Sequence, residues 1–189
     1  MVDYKLAQLA ELEKLSRQGH VDLFHGDESG VCSEGYVPYG WQFEDEQVSI
    51  AVEKGHRINC WGLVSRQNQC HWAVSLESIG SQFVFERLDA LSLALKKETF
   101  VVLDNARIHT ARLIKAQLPV WQKRGLFIVY LPTYSPHLNI AETLWRKLKK
   151  EWLVPEDYLE NDSLSYAVNR CLANVGKNLV IHFSDFSLN

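Results

Sequence analysis

Two short, uninterrupted apolar runs constrain the fold of this chain more than any other feature of its sequence. The runs are Phe100–Leu103 and Leu126–Leu131, and a stretch with helical spacing separates them. A continuous apolar run of this length is typical of a strand buried on both faces, as in parallel sheets that carry helices on either side. The sequence therefore predicts a strand–helix–strand crossover in an α/β domain.

The remaining elements follow from the same periodicities. Strands are predicted at 21–25, 57–65, 70–76, 100–103 and 126–131, and helices at 1–19, 81–97, 110–118, 139–153 and 163–175. Pro119 is expected to end or restart the third helix, and residues 29–42 are expected to form an ordered loop or a weak hairpin. Three leading strands followed by crossovers predict a mixed five-stranded sheet flanked by helices.

The composition is that of one globular domain. The chain has 189 residues, of which 47% are hydrophobic and 23% charged, and these values exclude wholesale disorder. No apolar run approaches the roughly 20 residues of a membrane helix, and the N-terminus lacks the pattern of a signal peptide. We therefore expect a cytoplasmic protein in which residues 1–19 form a connector helix and residues 20–189 form a single domain.

The cysteines fit this expectation. Cys32, Cys60, Cys70 and Cys171 are irregularly spaced and form no C-x-x-C pair, which predicts reduced and mostly buried thiols. The alternative that Cys60, Cys70 and His71 supply zinc ligands stays open, although their spacing matches no common site.

Positive charge is concentrated in one segment of an otherwise acidic chain. The net charge is −3, yet residues 105–150 contain nine Lys and Arg residues against the single acid Glu142. This segment is predicted to form a phosphate-facing surface, because a local excess of cations attracts nucleic acid whatever the total charge. The alternative is a solvated basic face without a ligand.

Three acids occupy positions that suit chemistry. Asp27 is predicted to end the first strand, Asp104 directly follows Phe100–Leu103, and Glu142 lies in the first turn of the helix after the last strand. Ligands of open α/β sheets bind beyond the carboxyl ends of the strands. Carboxylates that converge there repel one another unless a cation compensates them, and Mg²⁺ or Mn²⁺ prefers such oxygen ligands.

Each acid also has a structural interpretation. Asp27 and Asp104 could stabilise turns, and Glu142 follows Asn139 at the spacing of a capping box. No single acid decides between the two interpretations.

The residues around the three acids resemble the mariner-like DDE transposases of bacterial insertion sequences, a branch of the RNase H-like superfamily. The resemblance lies in His25–Ser29, in Val101–His109 and in Leu131–Trp145, where a proline-rich turn precedes Leu138–Asn139, the acid and a tryptophan. It covers roughly residues 20–155 and implies an RNase H-like fold.

The resemblance also implies an activity, cofactors and partners. Asp27, Asp104 and Glu142 would form a catalytic triad that binds two Mg²⁺ or Mn²⁺ ions, cleaves transposon ends and transfers the 3′-hydroxyl to target DNA. The implied assembly is a homodimer in a synaptic complex in the bacterial cytosol, associated with the nucleoid. Such transposases usually carry an N-terminal helix-turn-helix segment that reads DNA, and this segment is expected to be missing here.

Six further residues are candidates for supporting roles. They would orient the triad or contact DNA, and their alternative roles are local turn stabilisation, packing or a solvated face: Asn105, His109, Asn139, Arg146, Lys149 and Lys150. Glu28 is expected to point away from Asp27, because neighbours in a strand alternate between faces. Tyr36 and Trp41 could stack on an unpaired base, although core packing is the stronger expectation.

Two other functions remain open at this stage. The first is a related nuclease that only hydrolyses. The second is a truncated or split-frame product that binds DNA or a partner subunit without catalysis.

Overall fold

The computed structural model describes residues 2–32, 57–133 and 135–186. Its strands are β1 (Asp22–Cys32), β2 (Arg57–Val64), β3 (Cys70–Ser75), β4 (Thr99–Leu103) and β5 (Leu126–Tyr130). Its helices are α1 (Val2–Arg17), α2 (Ser81–Ala94), α3 (Arg112–Lys123), α4 (Ala141–Lys147) and α5 (Asn161–Ala173). None of these helices is both long and apolar enough to cross a bilayer.

The strands form one mixed sheet, as the sequence predicts. The described residues form a five-stranded sheet in the order β3-β2-β1-β4-β5, in which β1, β2 and β3 are antiparallel neighbours. β4 lies parallel to both β1 and β5, so the two continuous apolar runs are neighbouring parallel strands. The predicted α/β class, with a mixed sheet flanked by helices, is confirmed.

The two faces of the sheet are covered by different helices. Val101 lies in a buried cluster with Leu88 of α2 and Trp121 of α3. Val102, its neighbour in β4, points to the opposite face and packs with Leu9 of α1. α4 and α5 lie on that second face as well, over the antiparallel strands. The central strands are therefore buried on both sides, and this explains why their sequences are continuously apolar.

β1 is longer than predicted, and this changes the position of Asp27. The sequence predicts a strand that ends at residue 25, whereas β1 continues to Cys32. Asp27 therefore lies inside the strand and not at its end. The reason is tertiary, because β1 pairs with β2 from His25 to Cys32. Residues 29–32, predicted as part of an ordered loop or a weak hairpin, instead belong to β1. Tyr36, Trp41 and the rest of that segment lie outside the described residues.

Two helix predictions also need correction. α3 continues through Pro119 to Lys123, although Pro119 was expected to end or restart it. Ile114 and Trp121, on either side of the proline, are buried in the same cluster, and this packing outweighs the missing hydrogen bond. The predicted helix 139–153 begins only at Ala141 and continues from residue 148 to residue 152 as a π-helix.

α1 packs directly on the sheet. Leu9 and Leu12 are buried against Leu23 of β1, and Glu13 adds a polar anchor. The Glu13 carboxylate contacts both Nε2 of His25, at 3.3 Å, and Nε of Arg66, at 2.9 Å. The proposed division at residue 19 stays a prediction.

The cysteines are free thiols. Cys60 and Cys70 lie in β2 and β3, and burial raises the pKa of each thiol to about 12. The described residues contain no cluster of three or more His, Cys, Asp or Glu side chains that could hold a metal ion as they stand. Cys60, Cys70 and His71, the ligands of the zinc alternative, therefore do not form such a cluster.

Candidate active site

Three acids from three different elements line one cleft. Asp27 comes from β1, Asp104 follows β4, and Glu142 lies in the first turn of α4. They border the same cavity, whose volume is about 280 Å³ and whose wall also includes Asn105 and Asn139. The chain brings these acids together because β1 and β4 are neighbouring parallel strands and α4 crosses the sheet beside them.

A glycine and a tryptophan set the position of Glu142. Gly62 lies opposite Asp27 in the register of β1 and β2. A Cβ atom added to Gly62 would lie 2.8 Å from the Trp145 ring, so only glycine lets this ring lie so close to the sheet. Trp145 follows Glu142 by three residues and therefore shares its side of α4. The packing of Trp145 against Gly62 thus holds Glu142 at the Asp27 end of the cleft.

Asn139 fastens the start of α4 to β1. Its side-chain Nδ2 donates a hydrogen bond to the carbonyl oxygen of Gly26, at 3.0 Å. Its Oδ1 accepts one from the backbone N–H of Ala141, the first residue of the helix. Asn139 is buried, so it acts on these neighbours and links the residue before Asp27 to the helix that carries Glu142.

The Asp27 carboxyl is unfavourably placed for a negative charge. Burial raises its pKa, and the nearby carboxylates of Glu28 and Asp104 add to the effect, while the backbone N–H of Glu28 and the His109 imidazole oppose it. The result is a pKa of about 7. A group with this pKa would be held in its charged form by a cation in the cleft.

Asp104 has the opposite environment. Its Oδ1 accepts hydrogen bonds from Nδ1 of His109, at 2.7 Å, and from the backbone N–H of Ala106, at 2.9 Å. The hydrogen bond from His109 lowers the pKa of Asp104 most, and the Ala106 contact adds to it against the effect of burial. Asp104 is therefore charged at neutral pH without a metal ion.

His109 is held between two carboxylates. It is fully buried, and its Nε2 lies 3.2 Å from Oε2 of Glu28. Burial by itself lowers the pKa of His109, but the contacts to Asp104 and Glu28 outweigh it and raise the pKa to about 9. The imidazole is therefore a cation at neutral pH, and it is placed on the Asp104 side of the cleft.

The other predicted residues divide into those that brace the cleft and those that line its approach. Asn105 donates a hydrogen bond to the Leu131 carbonyl oxygen, at 2.8 Å, and so joins the ends of β4 and β5. The cations line a second cleft that shares Asp27 and Glu142 with the first: Arg146, Lys149 and Lys150. These three residues are thus adjacent to the acids, as a role in DNA contact requires.

The basic segment 105–150 does not form one surface. α3, with Arg112 and Lys115, covers the sheet face opposite to α4, because alternate residues of the central strands pack against the two helices. The cations that line a cleft with Asp27 and Glu142 come from α4 and from the π-helix after it. The count of Lys and Arg residues in this segment is correct, but consecutive helices of a crossover fold can lie on opposite faces of the sheet.

Sequence reasoning missed the roles of Glu28 and Gly62. Strand alternation does put Glu28 on the side away from Asp27, but no local pattern indicates that His109 returns to meet it there. The signal for Gly62 was weak as well, since a glycine inside a strand indicates only a close approach of some other group.

The donor chemistry of the cleft fits a divalent cation. Three carboxylates supply oxygen ligands of the kind that Mg²⁺ and Mn²⁺ prefer. The raised pKa of Asp27, caused mainly by burial, means that a bound cation would favour the charged form of its carboxyl. The described residues do not hold these oxygens close enough to bind an ion without adjustment, so the ligands would have to move together on binding.

The mixed five-stranded sheet in the order β3-β2-β1-β4-β5, flanked by helices, belongs to the RNase H-like class of folds. Within this class the chain belongs to the DDE superfamily endonucleases, because the sequence model of that family matches residues 22–165. No curated protein matches the sequence.

Several solved structures share this fold, although their sequences have low identity to this chain. The Mos1 mariner paired end complex with Mn has a TM-score of 0.60 and 14% identity, over 91% of this chain and 54% of that one. The simian T-cell lymphotropic virus intasome, in complex with the PP2A regulatory subunit B56 gamma, has a TM-score of 0.58 and 12% identity. The match covers 85% of this chain and 50% of that one.

A further similar structure is a smaller protein. The catalytic core domain of BIV integrase has a TM-score of 0.52 and 14% identity, over 84% of this chain and 85% of that one. The chain thus spans about half the length of the first two proteins but most of an isolated catalytic core.

Proposed function

We propose that the chain is the catalytic domain of a transposase that hydrolyses DNA at transposon ends and joins the freed 3′-hydroxyl to target DNA. The observation that carries this proposal is the convergence of Asp27, Asp104 and Glu142 on one cleft. Membership of the DDE superfamily endonucleases supports the same chemistry.

In this proposal the three acids hold Mg²⁺ or Mn²⁺, two ions in each site. Such ions activate a water or hydroxyl nucleophile and stabilise charge on the phosphate that is displaced. Two ions would also compensate Asp27, whose carboxyl is otherwise costly to ionise. A structure similar in fold, the Mos1 paired end complex, contains Mn.

The protein's own residues then position the substrate. Arg146, Lys149 and Lys150 line the cleft beside Asp27 and Glu142, where they would bind backbone phosphates of the DNA strand. Asn139 and Asn105 hold the surrounding segments in place through backbone contacts. Positioning and electrostatics supply most of the rate enhancement in reactions of this kind.

The partners are part of the proposal. The substrate would be DNA, both the transposon ends and the target, and two copies of the chain would pair the ends. A helix-turn-helix segment would be needed to read the end sequence. An activity of this kind would operate in a bacterial cytosol, at the nucleoid.

A joining assay tests the proposal. The chain, alone and fused to a helix-turn-helix DNA-reading domain, is incubated with Mn²⁺, a labelled duplex with a free 3′-hydroxyl and a supercoiled plasmid. We expect relaxed plasmid with the label covalently attached, and no product with Asp104→Asn.

The outcomes separate the alternatives. Nicks without joined label would indicate a nuclease that only hydrolyses. DNA binding with neither product, in both forms of the protein, would favour a non-catalytic binding role and contradict the proposal.

A further inference from the structure

Glu28 lies beside Asp27 in β1, but its side chain serves the other face of the strand. It lines a cleft with Ile79, which packs in the cluster that α2 and α3 cover. On this side Glu28 Oε2 lies 3.2 Å from Nε2 of His109. Both atoms are buried, and neither has hydrogen-bond geometry with any described group, so the contact between them is a charge contact without an aligned hydrogen bond.

The second ring nitrogen of His109 faces Asp104. Nδ1 lies 2.7 Å from Oδ1 of Asp104, and this same oxygen also accepts the hydrogen bond from the Ala106 backbone N–H. Two donors thus hold one carboxylate oxygen. Asp104 keeps 49% of its side chain exposed, where it lines the cleft with Asp27 and Glu142. Fixing Oδ1 therefore determines how Oδ2 is presented to the cleft.

The imidazole depends on both carboxylates for its orientation. His109 is fully buried, and a rotation of its ring would break the contacts on both nitrogens at once. If one of the two carboxylates were removed, the imidazole would keep a single polar contact and could rotate about that contact. Groups that orient metal ligands in this way change metal affinity when they are removed, although they do not touch the ion.

We infer that Glu28 is a positioning residue, which acts through His109 to fix the Asp104 carboxylate for cation binding. This inference rests on the proposed function, because it requires Asp104 to be a metal ligand. It gives the second acid of the His25–Ser29 motif a role that differs from that of its neighbour Asp27. One strand thereby supplies a ligand on one face and the support for a second ligand on the other.

The test measures Mn²⁺ affinity of the folded chain, from the electron paramagnetic resonance signal of free Mn²⁺. We expect Glu28→Ala to weaken binding by about 10- to 100-fold, the range that loss of a ligand-orienting partner produces. Glu28→Gln should stay within a few-fold of the native chain, because its amide keeps a polar contact with Nε2. The matched control is Glu86→Ala, which removes an exposed acid on α2 that accepts a hydrogen bond from the Gln82 side chain.

His109→Leu gives the same test from the other end of the contact, and it applies even if Glu28→Ala does not fold. It removes the donor to Asp104 at similar volume, so we expect a loss of Mn²⁺ affinity at least as large as that of Glu28→Ala. Combining Glu28→Ala with Asp104→Asn should add little to the effect of Asp104→Asn alone, because the two residues act through one ligand.

Two results would overturn the inference, and they can be told apart. If Asp104→Asn weakens binding but folded Glu28→Ala and His109→Leu bind Mn²⁺ as tightly as the native chain, Glu28 has only a structural role. A lowered free energy of unfolding with unchanged affinity would mean the same. If Asp104→Asn itself leaves the affinity unchanged, Asp104 is not a ligand, and the metal assignment in the proposed function fails together with this inference.

Discussion

The two aspartates of the cleft lie in β1 and directly after the neighbouring strand β4, and their environments affect their charges in opposite ways. Asp104 receives a hydrogen bond from His109 and another from the Ala106 backbone, and its pKa is lowered. Asp27 is half-buried in β1 near two other carboxylates, and its pKa is raised to about 7. The same residue type therefore has different charge preferences a short distance apart.

This difference shows that the two sides of the cleft are stabilised by different interactions. On the β4 side the protein supplies its own cation, the buried imidazolium of His109. On the β1 side it supplies packing, through the contact of Trp145 with Gly62, while burial disfavours the charged form of Asp27. The β4 side is thus organised before a metal ion binds, whereas the β1 side depends on the ion for its charge balance.

The strongest test removes each carboxylate in turn. Asp27→Asn and Asp104→Asn should each reduce Mn²⁺-dependent DNA cleavage by more than about 100-fold, since the loss of a ligand should exceed the loss of a residue that only orients one. Both variants should keep the native far-ultraviolet circular dichroism and nearly native DNA affinity. A variant that cleaves DNA at the native rate would remove that aspartate from the site.

The packing that supports the β1 side can be disturbed by one methyl group. Gly62→Ala should destabilise the chain by about 1–3 kcal/mol, because its Cβ would lie 2.8 Å from the Trp145 ring. It should also weaken Mn²⁺ binding, since α4 must move and Glu142 moves with it. Thermal unfolding and a Mn²⁺ titration measure the two effects.

Gly80→Ala is the matched control for this substitution. A Cβ at Gly80 would meet no atom within 4 Å, and its backbone is extended, so we expect a cost of about 0.5 kcal/mol for a poorer helix cap and native Mn²⁺ affinity. Equal effects of the two substitutions would show that Trp145 does not hold Glu142 in place.

The pH dependence of stability should separate the two aspartates. The pKa of Asp27 is about 7 in the folded chain against an ordinary value of 3.8, so the folded state binds the proton more tightly. Stability of the metal-free chain should therefore fall as the pH rises from about 4 to about 7. Asp27→Asn should remove this decline and raise the free energy of unfolding at pH 7.5 by about 1–2 kcal/mol, less than the full shift because of solvent screening.

Asp104 changes the stability with pH in the opposite direction. Its pKa is lowered in the folded chain, so its contribution is present above its ordinary pKa and is lost as the pH falls through the folded value. Asp104→Asn should therefore lower the stability at neutral pH. Chemical denaturation in steps from about pH 2.5 to about pH 8, without metal, measures both variants. Parallel curves for the two would contradict the contrast between the sides of the cleft.

The smallest expected effect concerns DNA affinity. Lys149→Gln should weaken DNA binding a few-fold and reduce the slope of log affinity against log salt by about 1, because it removes one phosphate contact. Lys115→Gln is the control, since Lys115 is exposed on α3, on the opposite face of the sheet. Equal losses in fluorescence-anisotropy titrations would mean that the whole basic segment meets DNA.

Much of the fold could be predicted because its elements carry local signals. The apolar runs that became β4 and β5 were located to within one residue, and the hairpin of β2 and β3 was predicted from two β-type runs separated by four polar residues. The errors lie where distant partners decide the outcome. β1 extends past residue 25 because β2 pairs with it, and α3 tolerates Pro119 because Trp121 is buried beyond it.

The sequence by itself determined the residue types and their spacing, including the three acids and the interval from Glu142 to Trp145. The periodicity of buried strands and helices fixed the class of fold through local physics. Only the tertiary structure decided which carboxylate is charged and which one requires a cation. The pKa of a group depends on burial and on neighbours such as Glu28 and His109, which are far apart in the sequence and meet only when the sheet has formed.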